Sequence, residues 1–290
     1  MNDLLKKAYA FDGTVRIYGV RTTLLTEEAR QIHDTWPVAT AALGRVLTTA
    51  ITMGAMYEGN QTLTIQIDGG GPLGKILVTT DAHGHVRGTI EHPHVQLSNN
   101  DGSPAVGQAV GHQGYIHVTK DLKIRDVFTS SAELQTGEIA QDFTYYFAKS
   151  EQIPSSVGLG VTIDVDGSVK SAGGFILQVM PGASEETLDT IEQNINAMPP
   201  VNEMIENGAS PDDIIKAITK GDHEFLEELP LYYQCDCSKE KFLSSLSTLS
   251  KDELNSLADS NEPIETQCQF CKKKYTFTNE EINHIAEKKQ

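Results

Sequence analysis

Apolar and polar side chains alternate along much of the first 180 residues. Leu63-Thr-Ile-Gln-Ile67 and Tyr115-Ile-His-Val118 put an apolar group at every second position, the period of a strand with one buried face, while Lys75-Ile-Leu-Val-Thr79 is a short run with buried character. Between Tyr9 and Val179 such segments are punctuated by glycine and interrupted by helical text. Thr26-Glu-Glu-Ala-Arg30 leads into one helix, Ala39 to Met56 is rich in alanine and leucine with few charges, and Gly137 to Lys149 reads as a third. Strands in runs with helices laid across them predict an α+β fold, with a large sheet-and-helix N-terminal domain over residues 1–180.

The periodicity changes at Pro181. Ser184 can cap a helix in which Leu188, Ile191, Ile195 and Met198 share one stripe, and Pro199-Pro200 ends it. A short helix with Val201, Met204 and Ile205 stops at Gly208. Ser210-Pro211-Asp212-Asp213 then supplies a cap, a proline at the first helical position and an acidic first turn for a helix carrying Ile214, Ile215 and Ile218 as far as Gly221. Residues 181–230 are therefore expected to be a helical linker. Twelve of them are Asp or Glu, against only Lys216 and Lys220. Like charges at helical spacing weaken helices this short, so the segment reads either as a solvated acidic surface or as a metastable linker that needs a surface to dock on.

Composition narrows the class of partner. The chain has 290 residues, 39% hydrophobic and 22% charged, enough for more than one globular domain. Its formal charge of -17 would repel a polyphosphate backbone and an anionic membrane alike, which argues against nucleic acid as a partner. The N-terminus has too short an apolar stretch for a signal peptide, and no window approaches the length of a membrane helix, so a cytoplasmic setting is expected. In such a reducing compartment, clustered cysteines point to metal or redox chemistry rather than to permanent disulfides.

All four cysteines fall in residues 231–290, a piece small enough to benefit from a metal staple. Cys235-Asp-Cys237 and Cys268-Gln-Phe-Cys271 are separated by thirty residues. Each close pair can place two sulfurs on one ion, and together they predict a tetrahedral site for one Zn2+ in a zinc-binding domain. Thr278 should begin a helix with Glu281 at the capping-box position. Lys272, Lys273 and Lys274, beside Cys271, are expected to favour its thiolate form. A closed four-thiolate site leaves no position for a reactive water, so no metal-centred catalysis is expected. From the spacing, the alternatives are a structural staple, the commoner case, or a site whose sulfurs oxidise pairwise and release the metal.

The other candidate motifs are weaker. Gly69-Gly-Gly-Pro-Leu-Gly74-Lys75 has most of a phosphate-binding loop, but Ile76 stands where a hydroxyl residue would hold magnesium and a strand follows, so it reads as a turn. His83-Gly-His85 and His92-Pro-His94 lack the carboxylates or cysteines that would complete a metal site. No catalytic constellation is found in the first 230 residues. A thiol–disulfide oxidoreductase built on Cys268-Gln-Phe-Cys271 would need a thioredoxin-like strand–helix setting, which is missing. A zinc ribbon for RNA is opposed by the acidic linker.

The chain also carries Val86-Arg-Gly88, Gly137-Glu-Ile-Ala-Gln-Asp142, Ser150-Glu-Gln-Ile-Pro-Ser155 and Gly173-Gly-Phe-Ile-Leu-Gln-Val-Met-Pro-Gly182. With these segments, the Gly69–Gly74 turn and the cysteine pattern, it closely resembles, over nearly its whole length, the redox-regulated heat-shock holdase chaperones of thirty-three kilodaltons, a bacterial family. The resemblance implies a non-enzymatic protein that is idle when reduced and zinc-bound. Once oxidised, it holds unfolding client proteins in solution without ATP, as an activated homodimer. It carries the zinc ligands onto Cys235, Cys237, Cys268 and Cys271, and the redox disulfides onto Cys235–Cys237 and Cys268–Cys271. It also favours the oxidisable site over the static staple. In the mechanism expected from it, the zinc unit melts and the linker helices lose that unit as their docking surface. Leu188, Ile191, Ile195, Ile214, Ile215 and Ile218 then become available to bind clients.

Overall fold

The alternating segments of the N-terminal region become the strands of two sheets. In the computed structural model, which describes residues 2–124, 126–259 and 264–288, the chain divides into two units, Met1–Gln234 and Cys235–Gln290. The first unit runs β1 (Leu4–Ala10), β2 (Val15–Arg21), α1 (Thr23–His33), α2 (Pro37–Gly54), β3 (Thr62–Asp68), β4 (Ile76–Asp81), β5 (His85–Ile90), α3 (Val106–Val110), β6 (Tyr115–Asp121), β7 (Phe128–Glu133) and α4 (Ala140–Tyr146), followed by a π-helical turn at Phe147–Glu151. It continues through β8 (Ser155–Ile163), β9 (Val169–Val179), α5 (Glu185–Ala197), α6 (Val201–Glu206), α7 (Pro211–Thr219), β10 (His223–Pro230) and β11 (Tyr232–Tyr233). One sheet has the order β10-β1-β2-β9-β8 and is antiparallel throughout. The other has the order β11-β5-β4-β3-β6-β7, with only β11 joining in parallel.

Helix α2 is the hub of the first unit and touches strands of both sheets. Its apolar residues are buried almost all round, as its low charge predicts. The hydroxyls of Thr48, Thr49 and Thr52 return hydrogen bonds to the carbonyls four residues back, at 2.8, 2.9 and 2.7 Å, so their burial leaves no donor unsatisfied. Strand β3 shows the alternation read from the sequence, with Leu63, Ile65 and Ile67 turned into the core. The fully buried carboxylate of Asp142 accepts from the backbone amides of Gln135, Thr136 and Ile139 at 2.7–2.8 Å and so fixes the entry to α4.

Residues 181–230 are helical only as far as Thr219. The segment His223–Pro230 is not helix but strand β10, paired with β1. Its sequence, His-Glu-Phe-Leu-Glu-Glu-Leu-Pro, has no strict alternation, and it becomes a strand because β1 offers an open edge. The surface on which the linker docks also differs from expectation. Ile191, Val201, Ile205, Ile214, Ile215 and Ile218 pack against Ala8, Ala10, Val15, Ile17, Phe175 and Leu177, one face of the five-stranded sheet. Burying an isoleucine side chain contributes roughly 1.5–3 kcal/mol, which offsets the weak intrinsic stability of such short helices. Lys6 adds ion pairs to Asp212 at 3.4 Å and Glu228 at 3.2 Å, tying β1 to α7 and β10.

The second unit contains α8 (Lys239–Leu246), α9 (Lys251–Ala258), the hairpin β12 (Ile264–Gln267) with β13 (Lys274–Phe277), and α10 (Asn279–Glu287). Ser238, Ser250 and Thr278 each cap a helix through the amide three residues on, and Thr278 forms the expected box with Glu281. The buried apolar core is small: Leu254, Ala258, Tyr275, Phe277, Ile282 and Ala286.

Candidate metal centre

The hairpin and the chain before α8 bring the four cysteines together. Gln267 pairs with Lys274, so β12 and β13 close just outside the turn that contains Cys268 and Cys271. Within that turn the Cys268 amide donates to the Lys273 carbonyl and the Lys272 amide to the Cys268 carbonyl, both at 2.9 Å. Lys272 adopts the left-handed conformation, φ 58°, that lets the chain reverse there. Cys235 and Cys237 lie ahead of the Ser238 cap and face this knuckle.

The ligating atoms of Cys235, Cys237, Cys268 and Cys271 all lie within 4.8 Å of one another. The Cys235 and Cys268 sulfurs are 3.7 Å apart, and those of Cys237 and Cys271 3.3 Å. A tetrahedron with metal–sulfur bonds of about 2.3 Å has edges of about 3.8 Å, so the cluster fits one tetrahedral ion. None of the four is in a disulfide, and these two sulfur contacts run from one close pair to the other.

As thiols, Cys235, Cys237 and Cys271 influence one another's ionisation. Burial opposes ionisation of Cys237, yet hydrogen bonds from Tyr275 and from the neighbouring cysteines draw it down to about 7. Cys271 is pushed up to about 12, by burial first and then by the competing sulfurs, although the Lys273 amide pulls the other way. Cys235 is also raised, chiefly by burial. In the metal-free thiol, burial and the neighbouring sulfurs oppose the thiolate form that the lysines were expected to favour at Cys271. Lys274 pairs with Glu265 at 2.8 Å and the Lys273 ammonium lies 5.4 Å over the Tyr275 ring, so neither is directed at the sulfur.

Tyr275 is the member of the site that the sequence reading missed. Its hydroxyl is 2.9 Å from the Cys237 carbonyl oxygen and 3.2 Å from the Cys237 sulfur. Its ring packs on Phe242 with centroids 5.0 Å apart. The available signal was its position on the returning strand, four residues after Cys271, where an aromatic hydroxyl can reach back across the hairpin.

The six candidate client-binding residues do not form an exposed surface in this state. Ile214, Ile215 and Ile218 are fully buried under the five-stranded sheet, Ile191 is buried, Ile195 is partly buried, and only Leu188 is exposed, at 41%. The weaker motifs keep structural roles. The amides of Gly71 and Leu73 donate to the carbonyls of Val110 and Ala109, so this loop is turned toward the α3 segment rather than toward a phosphate. His85 and His94 pair with Asp81 and Asp34, each at 2.9 Å. Among the described residues, no helix is long and apolar enough to cross a membrane.

Comparisons with known proteins place the chain in one family and fold over nearly its whole length. The family model described as "Hsp33 protein" matches residues 3–278. A 33 kDa chaperonin of Geobacillus sp. (strain WCH70) is 45% identical over 289 residues, covering 99% of this chain and 98% of the relative. One of Desulforamulus reducens is 47% identical over 290 residues, with the same coverage. The crystal structure of the 33 kDa chaperonin (heat shock protein 33 homolog) from Thermotoga maritima superposes with a TM-score of 0.91 at 34% identity, covering 99% of this chain and 98% of that one.

Proposed function

Because the chain belongs to the Hsp33 family, we propose that it is a redox-regulated, ATP-independent holdase chaperone of the cytoplasm that acts without catalysing a reaction. The observation that carries this reading is the four-sulfur cluster in a unit whose buried apolar core, among the described residues, is six side chains with a partly buried shell around them. One zinc ion held by Cys235, Cys237, Cys268 and Cys271 would supply about 10–16 kcal/mol of folding free energy, more than such a core provides.

Activation then follows from thiol chemistry. A thiolate sulfur attacks a peroxide oxygen, the O–O bond breaks, hydroxide leaves and the sulfur becomes a sulfenic acid. The adjacent thiolate displaces hydroxide from that sulfur and the S–S bond forms. Each disulfide, Cys235–Cys237 or Cys268–Cys271, thus takes two electrons to one peroxide, which leaves as two waters after protonation. With its ligands consumed, the second unit loses the metal and melts.

Melting reaches the linker through the chain itself, since Cys235 follows β11 by two residues and β10 precedes it. Release of α5, α6 and α7 uncovers Leu188, Ile191, Ile195, Ile214, Ile215 and Ile218 together with the sheet face beneath them. Exposed apolar segments of unfolded or partly folded clients bind there. Mild heat cooperates by opening the weakest elements first. The charge of -17 keeps the complex in solution and disfavours nucleic acid, and the activated form is a homodimer. The test counts zinc freed by peroxide with a chromogenic chelator and maps disulfides by alkylation and peptide mass. One zinc lost with the two expected disulfides supports the reading; a metal retained through oxidation refutes it.

A further inference from the structure

We propose that Tyr275 is a positioning residue of the metal centre, its hydroxyl hydrogen-bonding the Cys237 sulfur so as to strengthen metal binding and make Cys237 slow to oxidise. This inference rests on the reading of the cluster as a zinc site. A phenol carries a single proton, and here two acceptors of Cys237 lie within reach, the carbonyl at 2.9 Å and the sulfur at 3.2 Å. A sulfur bound to a metal as thiolate only accepts, so the proton is drawn toward it and the carbonyl contact becomes secondary. The geometry is built rather than incidental. Tyr275 is buried, its ring is held by Phe242, and its pairing with Thr266 fixes its position relative to the knuckle.

Two consequences follow. A hydrogen bond to a ligand atom orients that ligand, and outer partners of this kind are typically worth about 10–100-fold in metal affinity. The same bond withdraws electron density from the sulfur that would attack an oxidant. In the peroxide step the attacking sulfur gives two electrons to the O–O bond, so the Tyr275 hydrogen bond makes Cys237 a poorer nucleophile than it would be without the hydroxyl. Cys237 would then remain a metal ligand longer under peroxide than it could without the Tyr275 hydroxyl.

The test is Tyr275→Phe, which keeps the ring and removes the hydroxyl, in the full-length protein. Competition with a chelator should show zinc affinity falling about tenfold. Brief peroxide exposure followed by alkylation and peptide mass should show Cys237 oxidising several-fold faster. In the cobalt-loaded protein the sulfur-to-cobalt charge-transfer band should move to lower energy, a change that a merely structural role would not produce. If Tyr275→Phe does not load metal, 3-fluorotyrosine in place of Tyr275, a stronger donor, should move the band to higher energy. An unshifted band, unchanged affinity and an unchanged rate at Cys237 would overturn the proposal. Zinc retained by the unmodified protein under peroxide would instead count against the redox function, and the affinity and cobalt results would still decide the role of Tyr275.

Discussion

Gly19 of β2 lies directly under Pro211, the first residue of α7: a methyl group on Gly19 would collide with the Pro211 carbonyl oxygen and stand 3.0 Å from Ile215 Cγ1. Gly160 of β8 stands in the same relation to the Asn202 backbone amide of α6, whereas a methyl group on Gly173 would meet the end of the Ile205 side chain and the Val20 carbonyl oxygen of the neighbouring strand. Two glycines of the five-stranded sheet, Gly19 and Gly160, thus admit helix backbone at a distance that a Cβ would not allow. Gly19→Ala should cost about 1–3 kcal/mol by overpacking. The loss should be local, with hydrogen exchange rising at α7 while β3 and β4 keep their protection. A uniform rise across the unit would show that this contact is not specific to linker docking.

Ile215 tests the linker from the helix side. Ile215→Asp places an unpaired charge in a fully buried position, which the docked helix cannot tolerate. The zinc-loaded variant should bind an apolar fluorescent dye and suppress client aggregation without oxidant. Undocking with no gain in suppression would separate linker release from client binding.

Metal removal should affect the two units unequally. Chelation of zinc should abolish amide protection in α9, β13 and α10, because Leu254, Phe277 and Ile282 anchor a core too small to stand alone. Strands β3, β4 and β9 should remain protected. Retention of structure in the second unit after chelation, seen by exchange or by tyrosine fluorescence, would contradict the assignment of folding energy to the metal.

Glu27 gives a pH test unrelated to the cysteines. Its carboxylate takes two hydrogen bonds from Arg30, at 2.7 and 2.8 Å, and one from the Val169 amide at 2.9 Å, tying α1 to β9. The Arg30 guanidinium, with the Val169 amide, outweighs burial and lowers the pKa to about 2. A depressed carboxylate pKa stabilises the fold above the ordinary value near 4.5, and that contribution is lost as pH falls toward 2. Glu27→Gln should therefore destabilise the first unit by on the order of 1 kcal/mol at pH 7, and the difference from the parent should shrink between pH 4.5 and 2. A pH-independent difference would assign the effect to packing.

The parts legible in the sequence are those set by local pattern. The alternation around Leu63 and the low charge of Ala39 to Met56 report burial directly, and the cysteine spacing reports a four-sulfur cluster because few other arrangements use it. What escaped depends on pairing over long separations. Strand β10 has no strand period of its own and exists because β1 has a free edge more than two hundred residues earlier in the chain. The docking face of the linker is likewise invisible in Ile214, Ile215 and Ile218, which show that an apolar stripe needs cover but not which surface provides it. Tyr275 read as an ordinary strand aromatic, since only the folded hairpin brings its hydroxyl to Cys237.

The central claim, that oxidation of the sulfur cluster turns on client binding, is tested most directly by light scattering. A chemically unfolded client is diluted into buffer with the zinc-loaded protein, before and after peroxide at mild heat, while released zinc is followed with a chromogenic chelator. The account predicts that aggregation is suppressed only after peroxide and in step with zinc release; zinc retained with no suppression, or suppression equal before and after oxidation, would contradict it.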